Sequence, residues 1–181
     1  FGLALNRAFS TSATSPSAYK NIPMLGLTSY QRSDGSKVPA FMSQPGSKAG
    51  LVVIQEWWGV NEQVKQTATD LAKACGVRVI VPDLYRSKIA YEAAEANHLM
   101  NELDWPGAMK DIQAAASFLK EQGCTKVAVA GFCMGGALSL GAGVQFHEVD
   151  AAVCFYGWNK GLGDVSKMKK PTQCHFGDLD E

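Results

Sequence analysis

Long apolar runs are scarce in this chain of 181 residues, and none is long enough to cross a bilayer as a helix. Excess charge is missing as well. Lys and Arg number 17 and Asp and Glu 17, so nothing favours nucleic acid or another polyanion as a partner. The cysteines Cys75, Cys124, Cys133, Cys154 and Cys174 form no CxxC pair and no zinc-ligand spacing, which argues against a structural metal or a disulfide framework. Their scatter through predicted strands and helix ends reads as buried thiols in a reducing compartment. No acidic residue precedes Asp34, and no internal repeat is visible. What is present is 46% hydrophobic and 19% charged residues, enough for one globular domain with a sizeable core.

Residues 1–20 read as a leader. Phe1 to Phe9 is apolar with a single arginine, Arg7, and Ser10, Thr11, Ser12, Thr14, Ser15 and Ser17 follow. Arginine with Ser and Thr and no acid is the composition of an organelle transit peptide. A mitochondrial location is therefore expected, with a disordered tail on a cytoplasmic protein as the alternative. The first residue is Phe1 rather than Met, which also fits a chain that lacks its true start.

The domain is expected from about residue 25 to 181. Leu27–Arg32 and Lys37–Ser43 are strand-like and flank the turn signal Asp34-Gly35. Pro45, Gly46 and Ser47 form a loop. Leu51–Ile54 is a continuous apolar run, as in a buried parallel strand. Asn61 can cap a helix that ends at Cys75 before Gly76. Val77–Val81 is the next strand. Helices follow over about Ala90–Glu102 and from Pro106 to Gln122, with Pro106 in a first turn where its missing N–H costs nothing. A strand from about Val127 leads to a helix from Met134 to about Phe146, and Ala151–Tyr156 and Thr172–Phe176 are further strands. This alternation predicts a doubly wound, mostly parallel α/β sheet with helices on both faces.

Gly131-Phe132-Cys133-Met134-Gly135-Gly136 joins one of those strands to its helix. It is the strand, tight turn and helix of a nucleophile elbow, with Cys where the common pattern has Ser. Glycines are needed because the turn is strained and strand and helix approach closely. The helix N-terminus offers unpaired N–H groups and a partial positive charge, which favour a thiolate. Cys133 is thus the candidate nucleophile. In open α/β sheets ligands bind beyond the carboxyl ends of strands, which singles out Glu56, Asp83 with Arg86, Tyr156, and Asp178 or Asp180. Glu56 could hydrogen-bond the Cys133 thiol. The backbone N–H groups of Trp57 and Met134 are placed to form an oxyanion hole. Asp180, just past a strand end, suits the middle member of a triad, and Asp178 is its rival. His98, His147 and His175 all precede Asp180, and each suits a structural role, so the expected base would lie beyond Glu181. The final helix needed to cover the sheet edge would lie there too, making 1–181 an inactive, truncated piece.

Taken together, Gln55-Glu56-Trp57-Trp58-Gly59, Val81-Pro82-Asp83-Leu84-Tyr85-Arg86, Asp104-Trp105-Pro106-Gly107, the elbow, and Cys154-Phe155-Tyr156-Gly157 resemble the dienelactone hydrolase family of α/β-hydrolases. The resemblance implies an α/β-hydrolase-type sheet and hydrolysis of a lactone or small activated ester. It implies Cys133 as nucleophile, Glu56 as the group that holds and helps deprotonate the thiol, and Asp180 as triad acid. It also implies Arg86 and Tyr85 on the substrate side, with no metal or organic cofactor. The expected partner is a small ester or lactone, with no nucleic acid and no membrane, and the protein is expected to be a monomer. A non-catalytic binding module on the same fold is the alternative.

Overall fold

The computed structural model describes residues 26–43 and 47–179. The leader over residues 1–20, the loop residues Pro45 and Gly46, and Asp180 lie outside the described residues.

The chain opens with an antiparallel hairpin, β1 (Gly26–Gln31) and β2 (Lys37–Met42), in which Gly26 faces Met42 and Gln31 faces Lys37. Gly35 takes a φ of 83° at the turn, where a side chain would be strained, and Asp34 accepts from the Ser36 N–H at 3.0 Å. β3 (Ala49–Ile54), β4 (Arg78–Pro82), β5 (Lys126–Phe132), β6 (Ala151–Phe155) and β7 (Thr172–His175) add to it in the order β1-β2-β4-β3-β5-β6-β7. β2 runs antiparallel to β4, and every pairing from β4 to β7 is parallel. The expected mostly parallel sheet is what forms.

The helices form where caps and apolar faces coincide. α1 (Glu62–Cys75) starts at Asn61, whose side chain accepts from the Val64 N–H, and stops at Gly76 in the left-handed conformation. α2 (Ala93–Asn101) begins three residues later than its composition suggests, because Ala90 is tied by its N–H to the Trp58 carbonyl at 2.9 Å. α3 (Trp105–Glu121) is capped by Asp104, which accepts from the Gly107 N–H, and carries Pro106 in its first turn. α4 (Met134–Gln145) follows Cys133 directly. No helix among the described residues is long and apolar enough to cross a membrane.

Alternate side chains of the central strands feed two cores. Val52, Ile54, Ile80, Val127 and Val129 pack under α3 and α4 with Ile112, Leu119 and Leu138. Leu51, Val53, Val79, Val81, Ala128 and Ala130 pack under α1 with Val64, Ala68 and Leu71. Burial on both faces is the reason these strands read as unbroken apolar runs. It also holds the carboxyl ends of β3, β4, β5 and β6 side by side.

Candidate active site

Cys133 stands on the crest between β5 and α4. Its φ of 53° and ψ of −121° lie where residues with side chains are rarely found, a conformation that costs on the order of 1–3 kcal/mol and persists only if its surroundings enforce it. The enforcement is visible. The Cys133 N–H donates to the Phe155 carbonyl at 2.9 Å, and the Ala137 N–H donates to the Cys133 carbonyl at 3.2 Å. A Cβ on Gly131 would sit 2.1 Å from the Gly135 carbonyl oxygen, and one on Gly157 would sit 2.1 Å from that of Cys133. The turn closes only with glycine at these positions. Cys133 itself is half-buried.

The end of β3 lies against the first turn of α4. A Cβ on Gly135 would come within 2.5 Å of the Gln55 carbonyl oxygen. That approach brings the turn containing Glu56 and Trp57 beside Met134, the first residue of α4. The N–H groups of a helix's first turn have no intrahelical acceptor. Gly59, with φ of 92°, closes the turn by donating to the Glu56 carbonyl at 3.3 Å.

Glu56 is held from across the sheet. The Tyr156 hydroxyl donates to Glu56 Oε1 at 2.8 Å. Tyr156 has a φ of 40°, which turns it off the end of β6. Burial, and then the bond to the Glu56 carboxylate, push the Tyr156 hydroxyl well above its usual pKa, and negative charge on Cys133 adds to the rise. Tyr156 is therefore a neutral donor at any physiological pH. Glu56, Trp58, Asn61, Val64, Phe132 and Tyr156 are among the residues lining a cavity of about 150 Å³ beside the elbow. Its aromatic edge continues as a ladder of rings. Phe132 stacks on Phe155 at 4.6 Å and Phe155 stacks on His175 at 4.6 Å, following the in-register pairing of β5, β6 and β7.

Tyr85 approaches from the turn after β4. It is buried, and its hydroxyl lies 3.4 Å from Met134 Sδ. Burial raises its pKa to about 12, with charge on Cys133 as the second cause. Tyr85 thus meets Met134, the residue after Cys133, on the helix end against which the β3 turn also packs. Arg86 turns away: its Nη2 donates to Asp111 Oδ2 at 2.7 Å and its Nη1 to the Asp83 carbonyl at 2.8 Å. Asp178 is exposed in the turn after β7.

The histidines are spread out. His98 on α2 pairs with Glu102 at 3.3 Å, His147 lies beyond the carboxyl end of α4 beside Glu148, and His175 is taken up by its stack on Phe155. Among the described residues no group of His, Cys, Asp and Glu has the arrangement of a metal site.

Two residues that sequence reasoning passed over support the site. Gln55 is fully buried, and its Oε1 accepts from the Leu84 N–H at 3.1 Å, which fastens the β3 turn to the β4 turn. Asp111 is 1% exposed on α3. Each carries a legible signal: a polar residue closing an apolar strand, and a carboxylate on the same helix face as Ala108, Ile112 and Ala115.

The sequence and the fold both have known relatives. The chain is 35% identical to Protein usf of Aquifex pyrophilus over 162 residues, covering 82% of this chain and 69% of the relative. It is 29% identical to the carboxymethylenebutenolidase of Pseudomonas putida over 167 residues, covering 84% and 70%. Its fold matches the crystal structure of a dienelactone hydrolase-like promiscuous phosphotriesterase from metagenomic libraries, with a TM-score of 0.67, 24% identity, and 86% and 70% of the chains covered. It also matches brefeldin A esterase, a bacterial homologue of human hormone-sensitive lipase, with a TM-score of 0.58 and 18% identity over 87% and 49% of the chains. The sheet is therefore that of the α/β-hydrolases, and the dienelactone hydrolase family model matches residues 38–181. The chain belongs to the dienelactone hydrolase family.

Proposed function

We propose that the protein hydrolyses a lactone or small activated ester through a thiol ester on Cys133. The observation that carries the reading is the elbow: a cysteine forced to φ 53° at a helix N-terminus, with the β3 turn packed against that terminus. A helix N-terminus favours the thiolate, which is the attacking species. Glu56, held by Tyr156 at 2.8 Å, is the nearby carboxylate that takes the thiol proton. The thiolate then adds to the ester carbonyl. The N–H groups of Trp57 and Met134 receive the oxyanion, the alcohol or enol leaves with a proton, and water cleaves the thiol ester. The family resemblance implies Tyr85 and Arg86 on the substrate side; Tyr85 reaches Met134 beside Cys133, and Arg86 braces the turn that carries it. Asp180 is the triad acid in this reading, with Asp178 as its rival. No step calls for a metal or an organic cofactor.

The direct test is turnover of p-nitrophenyl esters by the full-length protein and by Cys133→Ala. The variant is expected to lose at least about a thousandfold in kcat/KM. Unchanged turnover in the variant would remove Cys133 from the mechanism. A folded full-length protein inert toward every ester tried would favour a non-catalytic binding module instead.

A further inference from the structure

The turn after β4 has a shape that needs holding. Arg86, with φ of 55°, and Ser87, with φ of 72°, are consecutive left-handed residues that carry side chains. Asp83 grips the turn from inside, accepting from the Tyr85 N–H at 3.2 Å and the Ser87 N–H at 2.7 Å. Arg86 grips it from outside, with one nitrogen on the Asp83 carbonyl at 2.8 Å and another on Asp111 at 2.7 Å. Asp111 is anchored in turn. Its Oδ1 meets Arg32 at 3.4 Å, and its carbonyl accepts from the buried Tyr30 hydroxyl at 2.8 Å. The turn is thereby fixed to α3 and, through Tyr30 and Arg32, to the β1 end of the sheet. Its inner end carries Tyr85 to Met134, the neighbour of Cys133.

An arginine placed to greet a substrate carboxylate keeps its charge uncommitted. Arg86 has its charge matched by Asp111, whose side chain is only 2% exposed. Releasing the guanidinium to a ligand would leave a buried carboxylate with the longer Arg32 contact alone, which is strongly unfavourable.

We propose that Arg86 and Asp111 are positioning residues, a clamp that seats Tyr85 beside Cys133, and that Arg86 does not bind a carboxylate of the substrate. This rests on reading Cys133 as the nucleophile. It extends that reading to the substrate: the ester need not carry an anionic group for Arg86 to meet. A seat displaced by about 1 Å is enough to slow the chemistry by one to two orders of magnitude.

The test compares two esters in the full-length protein, neutral p-nitrophenyl butyrate and the carboxylate-bearing mono-p-nitrophenyl succinate. For both Arg86→Met and Asp111→Asn, kcat is expected to fall about tenfold or more, by the same factor on both esters, with KM within about twofold. The double variant should be no worse than the poorer single one, as for residues acting as one unit. Tyr85→Phe, which leaves the clamp intact, should also lower kcat on both esters, and adding Arg86→Met to it should cost little more. Arg86→Lys, keeping the charge but not the fork that spans both acceptors, should fall between wild type and Arg86→Met. Near-UV circular dichroism identifies any variant that has lost its fold, and for such a variant the Tyr85→Phe and Arg86→Lys results decide. A KM that rises tenfold on the succinate ester alone would overturn the proposal, as would an unchanged kcat in Asp111→Asn. Full activity in Cys133→Ala would instead overturn the nucleophile reading, so the two failures are distinguishable.

Discussion

In the proposed mechanism Cys133, Glu56 and Tyr156 set the chemistry, and each depends on a neighbour. The Tyr156 hydroxyl is a single neutral bond to a carboxylate. Removing it in Tyr156→Phe should cost about 1.5–3 kcal/mol of transition-state stabilisation if the bond persists through acylation, or about 10- to 150-fold in kcat/KM. Stopped-flow measurement of the acylation burst would check this, and a burst rate equal to wild type would show that Tyr156 has no part in holding Glu56. The buried Tyr85 gives a pH dependence of stability. Its pKa rises from 10.0 to about 12 on folding, so its neutral form is the one the fold favours. Its contribution is complete below pH 10 and is lost as pH rises from 10 toward about 12. Urea unfolding at pH 9, 10 and 11 should show stability falling across that range, with a shallower fall in Tyr85→Phe. Cys133 and Glu56 are candidates legible in the sequence because an elbow motif and a strand end mark them locally. Asp111 is marked only as a carboxylate on an apolar helix face, because what makes it matter is a contact with Arg86, a partner set by how α3 lies on the sheet.

The strands and helices were legible for a different reason. Apolar runs without alternation, as in Leu51–Ile54, announce strands buried on both faces, and Asn61 with Gly76 brackets a helix in chemistry alone. The start of α2 was not legible, since the tie from Ala90 to Trp58 is tertiary. Nor was the extent of close packing around the elbow. Gly157 closes the loop after β6, and a methyl there would strike the Cys133 carbonyl oxygen and the Ala137 nitrogen, which would lie at 2.1 and 2.4 Å. Both obstacles are backbone, so neither can yield cheaply. Gly157→Ala should destabilise the protein by about 2–4 kcal/mol and lower kcat by displacing Cys133. Chemical denaturation checks the first effect, and a stability within about 0.5 kcal/mol of wild type would show that the loop relaxes freely.

The described residues form one sheet with a core on each face, and the candidate site lies where β3, β4, β5 and β6 end together. Membership of the dienelactone hydrolase family and the α/β-hydrolase sheet follow from that architecture and from the match over residues 38–181. The proposed chemistry uses the protein's own side chains and backbone groups. Exhaustive dialysis of the full-length protein against a chelator should therefore leave ester turnover unchanged, and a loss restored by added metal would contradict the mechanism.

The central claim is a covalent bond between substrate acyl group and Cys133. Rapid acid quench of the full-length protein with p-nitrophenyl butyrate, followed by intact-mass and peptide mass spectrometry, reads that bond directly. One butyryl group is expected on the peptide containing Cys133, formed within the burst, discharged by hydroxylamine and absent in Cys133→Ala. Turnover that continues with no acyl group on Cys133, or with the group on another residue, would contradict it.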